Sequence, residues 1–98
     1  MRARLLFDRR VVLSDTAFAE LVLWTVPNPV RGSRHGYKYR LALVANGECV
    51  LRYDNEAGKG DHVHRGGRER AYEFVDPDRL VADFFAGVRR WLNENRDA

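Results

Sequence analysis

The sequence predicts an α+β fold, in which an antiparallel β-meander of about five strands packs one face against a single C-terminal α-helix. Three observations support this prediction. Short apolar or alternating segments are separated by turn residues over most of the chain. The dipeptide Asn46-Gly47 lies between two such segments and is a strong signal for a hairpin turn. The last segment carries apolar residues at helical spacing.

Length and composition limit the class of protein. Ninety-eight residues are enough for a single domain spanning residues 1–98. No apolar run of about 18 residues predicts a membrane span, and the first residues lack the apolar region of a signal peptide. The single cysteine, Cys49, is interpreted as a small buried residue in a reducing cytoplasm, with a catalytic thiol as the alternative. The net charge of +3 is compatible with nucleic acid or an acidic protein partner.

The N-terminal part of the chain predicts two strands. Residues 3–13 form either one bent strand or a tight hairpin, and a turn signal follows them. Residues 17–26 are nearly continuously apolar, which is typical of a strand covered on both faces. Pro27 ends this strand because proline has no amide hydrogen to donate to the sheet.

Residues 37–53 predict a hairpin, and its register depends on the length of the turn. A two-residue Asn46-Gly47 turn would place Leu41 opposite Arg52 and mix polar with apolar side chains on each face. A three-residue loop that ends with Gly47 places Leu41 opposite Leu51 and separates the two kinds of side chain. We therefore prefer the three-residue loop.

The preferred register also places Arg40 opposite Arg52 on the polar face. Like charges directly opposite each other on a sheet are unfavourable by about 0.2–1 kcal/mol. The pair would therefore require an anion, such as the carboxylate of Glu73 or a bound phosphate. A solvated face with the two guanidinium groups splayed apart is the alternative.

The C-terminal part predicts a short strand over residues 62–65, a last strand over residues 69–75 and a helix over residues 77–94. Asp76 is suited to cap the helix and Pro77 to occupy its first position. The helix is expected to bury one apolar stripe, formed by Leu80, Phe84, Val88, Trp91 and Leu92.

The segment over residues 52–65 is the densest in acids, bases and histidines. His62 and His64 are two residues apart, so on a strand both side chains point to the same face. Two adjacent imidazoles suit acid–base catalysis near neutral pH, or metal ligation with Asp61 or Asp54 as the carboxylate partner. A pair of structural or surface histidines is the third interpretation.

Cationic residues near the two histidines suggest a phosphate-containing substrate. Cleavage of RNA without a metal or other cofactor requires a base, an acid and cations that offset the developing phosphorane charge. His62, His64, Arg40 and Arg52 could fill these roles. The predicted substrate-binding residues are Lys38, Lys59, Arg65, Arg68 and Tyr37. The motifs of P-loop, dinucleotide-binding, zinc-ribbon and serine-hydrolase proteins do not occur.

Several segments of the chain resemble the TumE toxins of prokaryotic toxin–antitoxin systems. The most specific are Tyr53-Asp54-Asn55 and the later Asp61-His62-Val63-His64, and the resemblance spans roughly residues 3–92. The other segments that carry it are Phe18–Trp24, Pro27–Val30, His35–Arg40 and the C-terminal apolar stripe. The resemblance carries over to the motif residues Asp54, His62 and His64 and leaves their roles unassigned.

The resemblance implies a cytoplasmic toxin paired with a small antitoxin protein, often one that carries a helix-turn-helix. RNase-like activity is a common expectation for such toxins. The functional prediction is therefore a metal-independent endoribonuclease. The alternatives are a non-catalytic protein-binding module and a metal-dependent nuclease or phosphodiesterase that uses His62, His64 and an aspartate. The sequence leaves a homodimer open.

Overall fold

The computed structural model describes residues 2–96 and contains one antiparallel sheet and one helix. Six strands pair in the order in which they occur along the chain. The predicted α+β meander with a C-terminal helix is confirmed, with six strands where about five were expected. The elements are β1 (Arg4–Val12), β2 (Ala17–Thr25), β3 (Tyr37–Ala45), β4 (Glu48–Glu56), β5 (Gly60–Arg65), β6 (Arg68–Ala71) and α1 (Pro77–Glu94).

The two faces of the sheet have different surroundings. Helix α1 packs across β3 and β4 on one side, which we call the helix face; the other side is the open face. In β2 the alternation buries Leu21 and Leu23 on the helix face, whereas Trp24 on the open face is 37% exposed. The prediction that this strand is covered on both faces was therefore wrong, because only one helix is available to cover the sheet.

Helix α1 supplies the second layer of the core. Asp76 caps it, and its Oδ1 accepts a hydrogen bond from the backbone amide of Arg79 at 2.7 Å. Leu80, Phe84 and Val88 of the predicted stripe are buried, and Trp91 and Leu92 pack partly buried against the same cluster. The helix bounds and the cap were predicted correctly because both are encoded locally, by spacing and by the residues at the first turn.

The β3–β4 hairpin does not have the predicted register. Its turn is the two-residue Asn46-Gly47 turn, in which both residues have positive φ, 53° and 79°. A bulge then shifts the pairing, because Val44 is paired with Cys49 while Leu43 is paired with Leu51. The predicted three-residue loop was wrong.

The bulge has two consequences. It inserts one residue into β4, so Leu51 and Tyr53 still face the core. It also leaves Cys49 exposed, which corrects the prediction of a buried cysteine. Arg40 lies opposite Asp54 and not opposite Arg52, so the predicted pair of facing arginines does not form.

Two other predicted boundaries differ from the structure. Residues 3–13 form one strand, β1, which is irregular between Leu5 and Phe7. Strand β6 ends at Ala71 instead of continuing to residue 75. The chain leaves the sheet there because Tyr72 and Phe74 pack into the core beneath the helix.

Candidate active site on the open face

Strands β3 to β6 place six polar side chains side by side on the open face. Asp54 lies opposite Arg40 on β3 and opposite His62 on β5. One step further along the strands, His64 lies between Arg52 on β4 and its partner on β6. We call this group the open-face cluster; it consists of Arg40, Arg52, Asp54, His62, His64 and Glu69.

Asp54 and His62 form the buried centre of the cluster, with side chains that are 8% and 4% exposed. Oδ2 of Asp54 lies 3.0 Å from Nε of Arg52, and Oδ1 lies 2.7 Å from Nε2 of His62. Nδ1 of His62 lies 2.9 Å from the carbonyl oxygen of Gly60. Because a carbonyl only accepts, Nδ1 carries the proton and donates it, which leaves Nε2 facing the cluster.

Four buried atoms of the cluster have no hydrogen-bond partner among the described residues. The contacts inside the cluster are short, but their angles do not satisfy a hydrogen bond. An unsatisfied buried polar group costs about 1–3 kcal/mol, so folded proteins contain few of them. Four such atoms at one place indicate a ligand that supplies the missing partners. They are Arg52 Nε, Asp54 Oδ1, His62 Nε2 and His64 Nε2.

Glu69 is a member of the cluster that sequence reasoning missed. Its Oε1 lies 3.6 Å from Nε2 of His62, 3.8 Å from Nε2 of His64 and 3.9 Å from Nζ of Lys59. The carboxylate suggested by the sequence was Glu73, which lies in the exposed segment after β6. Pairing residues 62–65 with the next strand across Gly66-Gly67 would have placed Glu69 opposite His64.

The cluster also contains a candidate set of metal ligands. One ligand atom from each of Asp54, His62 and His64 lies within 4.8 Å of the others. The bond from His62 to the Gly60 carbonyl is of the kind that orients histidines in metal sites. The carboxylate in this set is Asp54, because the side chain of Asp61 points to the opposite face of the sheet.

Similarity to known proteins is confined to one family. The family described as Toxin TumE matches residues 2–92. The chain belongs to the TumE toxin family. Neither the comparison with curated proteins nor that with solved structures found a match.

Membership of the TumE family supports a toxin role, and a toxin implies an antitoxin as partner. Within residues 2–96, the helix is not apolar enough to cross a lipid bilayer. The residues that the resemblance singled out, Asp54, His62 and His64, are those that meet on the open face.

A second aspartate–histidine cluster of this TumE-family chain lies on the helix face, and we call it the Asp61 network. Oδ1 of Asp61 accepts a hydrogen bond from Ser33 Oγ at 2.6 Å. Oδ2 lies 2.6 Å from Tyr39 Oη and 2.7 Å from His35 Nε2. Nδ1 of His35 accepts from the backbone amide of Tyr37, so its Nε2 carries the proton donated to Asp61. Asn55 completes the network through Ser33 Oγ, the Tyr37 carbonyl and the Tyr39 amide.

The Asp61 network has an electrostatic signature. Burial, followed by the hydrogen bond and charge of Asp61, raises the pKa of Tyr39 far above its usual range. A neutral phenol that donates to a carboxylate is a structural anchor, because it holds its proton at every pH at which the protein works.

The network fastens the loop between β2 and β3 to the turn between β4 and β5. The backbone amide of Gly58 donates to the carbonyl of Arg31 at 2.7 Å. Gly60 has φ +74°, and a Cβ built on it would lie 2.6 Å from the carbonyl oxygen of Gly32. Since the Gly60 carbonyl also holds His62, the loop contact helps to position the open-face cluster.

The predicted substrate-binding residues separate into two groups. Lys38 lies beside Arg40 on the open face, and Lys59 lies near Glu69. Tyr37 packs on the helix face, where its ring centroid is 5.6 Å from that of Phe74. Arg65 and Arg68 also lie on the helix face, opposite each other. Alternation along the strands therefore takes Tyr37, Arg65 and Arg68 away from the histidines.

Proposed function

We propose that this protein is the toxin of a toxin–antitoxin module that cleaves RNA in the cytoplasm without a metal ion, using the open-face cluster. The observation that carries this proposal is the convergence of four unsatisfied buried atoms, two of them imidazole Nε2 atoms, on one place. A phosphodiester supplies what they lack, because its oxygens accept protons and hydrogen bonds while its 2′-hydroxyl donates.

The two histidines differ in a way that suggests separate roles. His64 is 23% exposed, and we assign it as the base that takes the proton of the 2′-hydroxyl. His62 is held between the Gly60 carbonyl and Asp54, an arrangement that satisfies both ring nitrogens when both carry protons. We therefore assign His62 as the acid. O2′ attacks phosphorus, the P–O5′ bond breaks, and His62 protonates O5′, which gives a 2′,3′-cyclic phosphate and a 5′-hydroxyl.

The charges around the cluster favour an anionic substrate. The cations Lys38, Arg40, Arg52 and Lys59 outnumber the carboxylates Asp54 and Glu69. Glu69 Oε1 lies within 4 Å of both histidine Nε2 atoms and of Lys59, which is a position suited to a phosphate oxygen. Guanidinium groups bind phosphate through paired hydrogen bonds, so Arg52 and Arg40 are assigned to the developing charge.

The test is to induce the protein and its His62→Gln and His64→Gln variants without antitoxin, and to map RNA ends. We expect growth arrest and new ends with cyclic phosphates for the unaltered protein only. Asp78→Asn, a charge change in the first turn of α1, serves as a control that retains cleavage. Equal arrest by all proteins, or arrest with no new RNA ends, would contradict the proposal.

A second candidate function is metal-dependent phosphodiester hydrolysis, which the arrangement of Asp54, His62 and His64 favours. These residues would hold a divalent cation, which would activate a water molecule as nucleophile. The two candidates differ in their response to EDTA. Metal-independent cleavage continues in EDTA and yields cyclic phosphates. Stoichiometric metal in untagged protein, together with cleavage that EDTA abolishes, would favour the second candidate.

A further inference from the structure

A groove lies on the helix face, remote from the open-face cluster. Helix α1 packs on β3 and β4, so the helix faces of β5 and β6 extend beyond it. The space between these strands and the C-terminal half of α1 has a volume of about 790 Å³. Leu51, Tyr53 and Val63 form an apolar floor, and Trp91 forms part of the wall.

The rim of the groove is strongly basic. Arg65, Arg68, Arg70 and Arg90 line it, and the only carboxylate among the lining residues, Glu94, is paired with Arg90 at 2.9 Å. Within residues 2–96, no carboxylate lies within salt-bridge distance of the other three arginines. The groove therefore carries positive charge that this part of the chain does not neutralise.

Two of these arginines face each other directly. Arg65 and Arg68 are paired across the β5–β6 hairpin, where like charges are unfavourable by about 0.2–1 kcal/mol. Nη2 of Arg65 donates to Tyr53 Oη at 3.2 Å, so its guanidinium group reaches over the floor of the groove. A carboxylate placed between Arg65 and Arg68 would relieve the repulsion and bind both groups.

We propose that this groove binds an acidic, amphipathic segment of the antitoxin. Carboxylates of the segment pair with the arginine rim, and its apolar side chains cover the floor. RNA satisfies only the rim, because a phosphate backbone offers no apolar groups for Leu51 and Val63. Strand β6 pairs only with β5, so an extended segment could also bond to its outer edge. The proposal rests on the toxin role that family membership supports, and not on RNA cleavage.

The test uses the neighbouring gene product that restores growth as the probe, with binding measured by calorimetry. We expect Arg68→Glu/Arg70→Glu to weaken binding at least about 30-fold, since each reversal replaces an attraction with a repulsion. Arg4→Glu/Arg89→Glu has the same net charge at exposed sites outside the groove and is expected to bind within about twofold of the unaltered protein. Circular dichroism and thermal unfolding establish that both variants are folded.

Trp91 provides a local readout. The chain has two tryptophans, so a Trp24→Phe background leaves Trp91 as the sole emitter. We expect the antitoxin to shift the emission of Trp91, and a 12-nucleotide RNA to leave it unchanged. Equal antitoxin binding by the two double variants, a response of Trp91 to RNA alone, or failure of every neighbouring product to bind would overturn the proposal. Because none of these measurements uses RNA cleavage, they separate this proposal from that of RNase activity.

Discussion

The Asp61 network and the open-face cluster are built from the same residue types on neighbouring positions of β5. Asp61 and His62 are adjacent in the chain, so their side chains point to opposite faces of the sheet. Both oxygens of Asp61 accept well-formed hydrogen bonds from side chains. Asp54, by contrast, has a buried Oδ1 that no hydrogen bond satisfies.

This contrast distinguishes a structural polar cluster from a functional one. Satisfied hydrogen bonds stabilise the fold, whereas unsatisfied buried atoms lower its stability and persist where a ligand completes them. By this criterion the Asp61 network holds the loop between β2 and β3, and the open-face cluster is a binding site. The two clusters should therefore respond oppositely to substitution.

The largest change should be in cleavage. We expect His62→Gln and His64→Gln each to lower the rate of RNA cleavage about 10²–10⁴-fold, because each removes a proton-transfer group. His35→Gln removes a histidine of the Asp61 network and should leave the rate within a few-fold while lowering the unfolding temperature. Single-turnover kinetics on a defined RNA, at a temperature where all three variants are folded, give the comparison. A loss of rate in His35→Gln equal to that in His62→Gln would refute the distinction.

The second effect is on stability. Asp61→Asn places an amide donor among the three donors Ser33, His35 and Tyr39, and we expect it to lower the free energy of unfolding by about 3 kcal/mol. Asp54→Asn should change that free energy by less than about 1 kcal/mol, because Oδ1 makes no well-formed hydrogen bond. Urea denaturation of both variants measures the two values. Equal losses would mean that the open-face cluster is structural.

How much of this the sequence could predict follows from strand geometry. Alternation alone places His62 with His64, and Arg52 with Asp54, so the faces were predictable without the register. The register was not, because the bulge at Val50 allows the Asn46-Gly47 turn to keep Leu51 and Tyr53 in the core. The predicted register assumed an unbroken ladder, so the turn length was chosen to match the faces.

The parts that could not be predicted depend on contacts between distant segments. The Asp61 network joins β5 to Ser33, which is 28 residues away. Local patterns carry no information on such a contact, so Asp61 was assigned to the metal alternative by its place beside His62. Glu69 was missed because no pairing between β5 and β6 was predicted. The groove was missed because it exists only where α1 leaves two strands uncovered.

The third effect tests the link between the two clusters. Gly60→Ala would place a Cβ 2.6 Å from the Gly32 carbonyl oxygen in a left-handed conformation, and should cost about 2–4 kcal/mol. It should also lower RNA cleavage, because the Gly60 carbonyl orients His62. Gly66→Ala is the matched control: its φ is +59° and no atom lies within 4 Å of the added Cβ, so it should cost only about 1–2 kcal/mol. If both variants lose equal stability and cleave RNA at the unaltered rate, the clusters are independent.

The smallest effect is the pH dependence of stability. Burial and Asp61 raise the pKa of Tyr39 above its value in the unfolded chain, which is about 10. The stabilisation is therefore complete below pH 10 and is lost as the pH rises further, because the unfolded state releases the proton first. Each such tyrosine lowers the free energy of unfolding by about 1.4 kcal/mol per pH unit.

Tyr39→Phe removes this dependence and separates it from the hydrogen bond. At neutral pH the variant should be less stable by about 1–2 kcal/mol, because Asp61 loses one donor. Above pH 10 its free energy of unfolding should fall less steeply than that of the unaltered protein, by about 1.4 kcal/mol per pH unit. Burial and Asp83 also raise the pKa of Tyr72, so Tyr72→Phe should flatten the alkaline limb without disturbing the Asp61 network. Parallel alkaline limbs for Tyr39→Phe and the unaltered protein would show that Tyr39 is not held as a neutral donor to Asp61.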